Sequence, residues 1–83
     1  MLETFVKDGR IVTMPTRRAK RLVVLDHVSQ SFEPGRTYPE SEVNERLRSF
    51  HEDVAALRRY LVDEGFLSRE AGTYWRTGGT VPV

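Results

Sequence analysis

The apolar residues in the middle of the chain follow a helical repeat whose phase breaks once. One stripe covers Val43 to Phe50 at i, i+4 and i+7, and a second covers Val54 to Leu61 at i, i+3 and i+7. Because a continuous helix would keep one phase, we expect two helices, near residues 40–49 and 53–64, joined by a tight turn. Asp53 can cap the start of the second helix, and Gly65 stands where a left-handed C-terminal cap belongs.

A hairpin and a further helix are predicted ahead of this pair. The dipeptide Asp8-Gly9 lies between two short apolar runs and supplies the positive φ angles of a two-residue hairpin turn. From residue 17 to about 31 neither proline nor glycine occurs, and Thr16 can cap a helix there. Pro34-Gly35 is a turn signal that closes this first helix.

A second hairpin is predicted near the C-terminus and decides the fold class. Phe66-Leu67 and Thr73 to Arg76 are strand-like runs on either side of a turn from Ser68 to Gly72. A short extended segment around Arg36 to Tyr38 separates the first helix from the second. This order predicts an α+β, winged-helix-like domain of three helices, with an N-terminal β-hairpin and a C-terminal β-hairpin as the wing.

The length of the chain permits one hydrophobic core. Its 83 residues form a single predicted domain with an ordered part from about 4 to 76 and a frayed tail from 77 to 83. Without cysteine there is neither a disulfide nor a thiolate ligand for zinc, and we expect no cofactor. Charged residues interrupt the N-terminus and the longest apolar run is Leu22 to Leu25, so we expect no signal peptide, no membrane span and a cytoplasmic location.

The charges are distributed unevenly although their sum is only +1. Residues 1–21 contain six basic and two acidic side chains, whereas the stretch from Glu40 to Asp53 leans acidic. Basic patches are candidate contacts to nucleic-acid phosphates. The candidate nucleic-acid-binding residues are Arg17, Arg18, Lys20, Arg21, Arg58, Arg59, Arg69 and Arg76.

Each group of candidate nucleic-acid-binding residues also has an alternative explanation in which it binds no nucleic acid. The four cations at the start of the first helix oppose its dipole, so local stability does not explain them, but solubility and pairing with acidic neighbours do. Arg58 and Arg59 are expected to face outward and to reach a major groove, or instead to pair with Asp63, Glu64 or the second helix. The wing arginines are either backbone contacts or ordinary surface residues.

No catalytic or metal-binding motif is present, and we expect the protein not to be an enzyme. His51, Glu52 and Asp53 are consecutive on or near a helix and point about 100° apart, so they cannot converge on a metal. We expect His51 to bind the turn backbone instead. The aromatic residues near the wing are either a base-stacking platform or core, and a domain of this size favours core. They are Phe66, Tyr74 and Trp75.

A series of short motifs resembles the bacterial domain of unknown function 2087. The resemblance extends from about Phe5 to Arg76. The motifs that carry it include Arg18-Ala19-Lys20-Arg21, Phe32-Glu33-Pro34-Gly35, Tyr38-Pro39-Glu40, Glu42-Val43-Asn44, Ala56-Leu57-Arg58-Arg59, Gly65-Phe66-Leu67 and Tyr74-Trp75-Arg76. That domain occurs alone or fused behind helix-turn-helix regulators of the ArsR and MarR kinds, and this chain is expected to be the stand-alone form. The resemblance implies a nucleic-acid-binding or regulatory role.

Two functions follow as expectations. The first is a winged-helix domain that binds duplex DNA, as a transcriptional regulator or as an accessory to one. The alternative is a protein-interaction module of the same fold, with a protein partner or a second copy of itself, because the net charge is low and acidic residues flank the third helix.

Overall fold

Three helices and five short strands make up the part of the chain that the computed structural model describes, residues 6–12 and 14–79. In chain order they are β1 (Val6–Lys7), β2 (Arg10–Ile11), α1 (Arg18–Ser29), β3 (Thr37–Pro39), α2 (Glu40–Arg48), α3 (Val54–Asp63), β4 (Leu67–Glu70) and β5 (Thr73–Arg76). The α+β class is confirmed, and the finer winged-helix assignment stays a prediction. The predicted start of the ordered part at residue 4 and the tail from 80 to 83 lie outside the described residues.

The N-terminal hairpin forms as its turn signal predicts. Asp8 and Gly9 have φ angles of 52° and 80°, which a two-residue hairpin turn requires, and β1 pairs antiparallel with β2. The Ile11 amide donates to the Phe50 carbonyl at 2.6 Å, and the Arg10 guanidinium donates to the Arg48 carbonyl at 3.1 Å. The hairpin is therefore attached to the turn that joins α2 and α3.

Helix α1 is shorter than predicted and begins without a side-chain cap. Its N-cap is Arg17, which makes no capping hydrogen bond, so the prediction that Thr16 caps this helix is wrong. After Ser29 the backbone tightens into i to i+3 hydrogen bonds, and the amide of Phe32 donates to the Ser29 carbonyl at 3.0 Å. This tightening brings Phe32 into the core, where it is 1% exposed.

Three strands form an antiparallel sheet in the order β3, β5, β4. The last strand lies in the middle, with Tyr38 of β3 opposite Tyr74 and Arg69 of β4 on its other side. The hairpin turn consists of Ala71 and Gly72 alone, with φ angles of 51° and 80°, so the predicted turn from Ser68 is too long. Because alanine does not mark a turn in a sequence, the end of β4 could not be predicted.

The core lies between the sheet and the inner faces of all three helices. Its largest fully buried side chains include Tyr38, Tyr74, Phe32, Leu25, Leu47, Leu57, Leu61 and Leu67. The packed part also extends beyond Arg76, where the sequence predicted its end. The amides of Thr77 and Gly78 both donate to the Phe66 carbonyl, at 2.9 and 3.2 Å.

Candidate nucleic-acid interface

The orientation of α3 is fixed at both of its ends. At its start the Asp53 carboxylate accepts a hydrogen bond from the Ala56 amide at 3.1 Å, which confirms the predicted cap. At its end Gly65 has a φ of 80°, and the amide of Phe66 donates to the Leu61 carbonyl at 2.8 Å. Together with the hydrogen bond from the Gly65 amide to the Val62 carbonyl at 3.1 Å, this bond forms a Schellman motif. With Leu57 and Leu61 buried, the opposite side of the helix faces away from the core.

A concavity of about 500 Å³ lies between this outer face of α3 and strand β4. Its lining residues are Ala55, Arg58, Arg59, Val62, Asp63 and Arg69. Three arginines thus share one surface with a single carboxylate and two small apolar side chains. Guanidinium groups donate paired hydrogen bonds to oxyanions such as phosphate, so the lining of this concavity is suited to binding an anionic group.

Arg59 and Arg69 are the accessible cations of the concavity. The side chain of Arg59 is 83% exposed, and its Nε lies 3.7 Å from the Asp63 carboxylate one helical turn later. Exposed pairs of this kind contribute about 0.3 to 0.5 kcal/mol, so they yield readily to a competing anion. Arg69 is exposed on β4, and its Nη1 donates to the Tyr74 hydroxyl at 3.4 Å.

Arg58 differs from them because α2 holds it. Its side chain is 23% exposed, its Nη1 donates to the Asn44 side-chain oxygen, and its Nε lies 3.9 Å from the Glu40 carboxylate. The same Glu40 oxygen accepts a hydrogen bond from the hydroxyl of fully buried Tyr74 at 2.9 Å. The alternative of pairing with the second helix is thus present in the structure, and it leaves Arg58 on the concavity wall.

Two of the four basic residues at the start of α1 have side-chain partners, although one of these two, Arg18, is itself 69% exposed. Arg17 and Lys20 are exposed. The Nε of Arg18 donates to the Glu64 carboxylate at 2.8 Å, across to the end of α3. Arg21 stacks its guanidinium 4.9 Å from the centre of the Tyr60 ring. Of the four predicted phosphate contacts in this patch, the structure therefore leaves Arg17 and Lys20 with the fewest competing interactions.

Arg76 does not lie on the surface of the hairpin, which corrects the prediction that it can track a nucleic-acid backbone. It is 8% exposed. Its Nη1 donates to the Phe32 carbonyl at 3.1 Å and its Nε to the Gly78 carbonyl at 2.8 Å. The physical reason is strand alternation, since Tyr74 and Arg76 point to the same face of β5 and that face is the buried one.

The histidines have structural partners. The Nδ1 of His51 accepts a hydrogen bond from the Asp53 amide at 2.9 Å, as predicted for the turn. The rings of His27 and Phe50 meet edge to face at 6.2 Å. Within residues 6–12 and 14–79, no three side chains of the metal-ligating types come together.

The aromatic residues near the hairpin follow the core prediction only in part. Tyr74 is fully buried, and Phe66 is partly buried and packs against the core. Trp75 is half-buried and belongs to the other face of β5, opposite Thr37 and Ser68. The expectation that Trp75 fills the core is therefore wrong, because adjacent strand residues cannot share a face.

The sequence did not indicate the group formed by Asn44, Glu40 and Tyr74 beside Arg58. These residues lie on α2 and β5, up to 34 positions apart. The only available signal was that Glu40 and Asn44 are one turn apart on α2, and a polar pair on a helix is too common to select them.

The fold and the site together define a small α+β domain with three helices, a three-stranded antiparallel sheet and an arginine-lined concavity beside the third helix. The chain belongs to the family described as an uncharacterized protein conserved in bacteria (DUF2087), which matches residues 10–76. Neither the comparison with curated proteins nor that with solved structures found a match. Among the described residues, every helix is too short or too polar to cross a lipid bilayer.

Proposed function

We propose that this domain is a winged helix that binds duplex DNA, as a bacterial transcriptional regulator or an accessory to one. The observation that carries the proposal is the concavity between α3 and β4, on which Arg58, Arg59 and Arg69 converge. From α1 onward the order is helix, strand, two helices and a hairpin, with β3 paired to β5, and this arrangement is typical of winged helices. In such a domain α3 enters the major groove and the hairpin lies along the backbone.

The charges of the concavity are consistent with moderate affinity of the domain for a phosphate backbone. Arg59 and Arg69 are exposed, and their only described acidic neighbour in the concavity is Asp63. Arg17 and Lys20 form a second positive surface, with Pro15 and Thr16, at the start of α1, and Arg18 joins this end of α1 to Glu64 at the end of α3. With a net charge of only +1, we expect a non-specific dissociation constant of about 10⁻⁴ to 10⁻⁶ M at physiological salt.

The test is a fluorescence-anisotropy titration of a labelled duplex at about 50 and 200 mM salt. Wild-type protein is compared with Arg59→Ala and Arg69→Ala. The matched control is Arg48→Ala, which removes the same charge from an exposed position outside the concavity. Each phosphate contact contributes about one unit to the slope of log affinity against log salt, so the two variants should each lower it by about 1.

In this titration the control variant should keep the wild-type slope. Two results contradict the proposal: absence of binding at the lower salt concentration, or equal slopes for Arg48→Ala, Arg59→Ala and Arg69→Ala. We also propose a cytoplasmic location, which a DNA-binding role and a sequence without cysteine support.

A second candidate is a protein-interaction or homodimerisation module. Two exposed apolar side chains favour it, Val12 at 58% and Val23 at 37%. The pairs of Arg59 with Asp63 and of Arg18 with Glu64 favour it too, since they reduce the charge available to a polyanion. Sedimentation equilibrium distinguishes the two candidate functions. Self-association that Val23→Ser weakens, together with no binding of duplex DNA, supports the interaction module over the DNA-binding domain.

A further inference from the structure

Arg58 is held in place before any ligand arrives. Its Nη1 donates to the Asn44 side-chain oxygen, and its Nε faces Glu40 at 3.9 Å. Glu40 is in turn fixed by the Tyr74 hydroxyl at 2.9 Å, and its amide donates to the Gly72 carbonyl at 3.0 Å. The guanidinium is thus connected to α2 and to the hairpin turn, whereas among the described residues Arg59 pairs only with the exposed Asp63 of its own helix.

The guanidinium keeps donors available in this position. Nη1 uses one of its two N–H groups on Asn44, and Nη2 has no hydrogen-bond partner among the described residues. The Arg58 side chain, which carries both nitrogens, lines the concavity. Two parallel N–H groups are what the O6 and N7 acceptors of guanine require in the major groove.

We infer that Arg58 reads a guanine base in duplex DNA, and that Asn44 and Glu40 are positioning residues that hold it ready. The inference rests on the proposed function, and it assigns two different roles to the arginines of the concavity. Arg59 and Arg69, which are exposed, contact phosphates and carry no sequence information. Ordering a free arginine costs side-chain entropy on binding, and Asn44 removes that cost by ordering Arg58 in the free protein.

The experiment measures discrimination between two duplexes. A preferred duplex is selected from a random pool with wild-type protein, and its dissociation constant is compared with that of a scrambled duplex. Arg58→Ala should weaken binding to the preferred duplex by about 5- to 150-fold and to the scrambled one little. Asn44→Ala should weaken the preferred duplex by about 2- to 10-fold and have no further effect when combined with Arg58→Ala. Arg59→Ala should weaken both duplexes equally.

Two controls separate positioning from loss of structure. Asn44→Asp retains an acceptor for Arg58, so it should keep the discrimination ratio while weakening both duplexes through its added charge. Nitrogen-15 relaxation of the Arg58 Nε in the free protein should show a more ordered side chain than Arg59, and Asn44→Ala should reduce that difference, since only the contact with Glu40 remains.

The outcomes distinguish the inference from the function on which it rests. If no duplex binds, the DNA-binding function and the base-reading role fail together. Two results overturn the inference alone when duplexes bind with the expected salt slope. In the first, Asn44→Ala weakens binding to the preferred and the scrambled duplex alike. In the second, Asn44→Ala has the same effect in the Arg58→Ala background as in wild type. A mobile Arg58 Nε in the free wild-type protein overturns it as well.

Discussion

At the scale of single residues, arginines in this chain have very different roles. Arg59 is exposed, Arg58 is held by α2, and Arg46 packs its guanidinium over two aromatic rings, 5.7 Å from the centre of Phe32 and 4.9 Å from that of Tyr38. Arg76 is buried against a carbonyl 44 positions away. The sequence could nominate arginines as phosphate contacts, but it could not show which of them bind carbonyls inside the fold, because those partners are distant in the chain.

Arg76→Ala should destabilise the domain by about 2 to 4 kcal/mol. Truncation leaves the carbonyls of Phe32 and Gly78 without these donors, and an unsatisfied buried polar group costs about 1 to 3 kcal/mol. Urea unfolding measures the change. Arg69→Ala on the neighbouring strand is the control and should cost less than about 0.5 kcal/mol. Equal stabilities of the two variants would show that Arg76 has no structural role.

At the scale of elements, the sequence predicted those whose ends carry strong local signals. Asp53 and Gly65 defined α3 to within one residue at each end, and Asp8-Gly9 defined the first hairpin. The second hairpin was predicted, but not its length, because Ala71 occupies a position that favours glycine or asparagine. Helix α1 begins one residue later than predicted and ends two residues earlier, at Ser29, because the backbone beyond it tightens into i to i+3 hydrogen bonds that no residue type in the sequence signals.

Ala71→Gly should stabilise the protein by about 0.5 to 1 kcal/mol. Ala71 has a φ of 51°, a left-handed conformation in which a Cβ costs about 1 to 2 kcal/mol, partly offset by the greater freedom of glycine in the unfolded chain. Gly72→Ala is the matched opposite, since a Cβ there meets no atom within 4 Å and only the φ of 80° penalises it. Thermal unfolding should place the two variants on opposite sides of wild type. A lower melting temperature for Ala71→Gly would contradict the argument.

At the scale of the whole molecule, one core orients all the candidate residues. Burial of Leu57 and Leu61 turns the arginines of α3 toward β4, and the position of β4 depends on its pairing with β5. The sequence predicted the outward side of α3, since that follows from the apolar stripe alone. It could not predict the concavity, because the approach of Arg69 to α3 depends on how the hairpin packs.

The central claim is that the concavity between α3 and β4 receives duplex DNA. Its most direct test is a nitrogen-15 NMR titration of the full chain with a duplex at low salt, following the backbone amides. The largest shifts should fall on residues 55–63 and 68–72, with smaller ones at Arg17 and Lys20, and an Arg59→Ala, Arg69→Ala double variant should lose most of them. Shifts confined to the neighbours of Val12 or of Val23, or none at all, would contradict the claim.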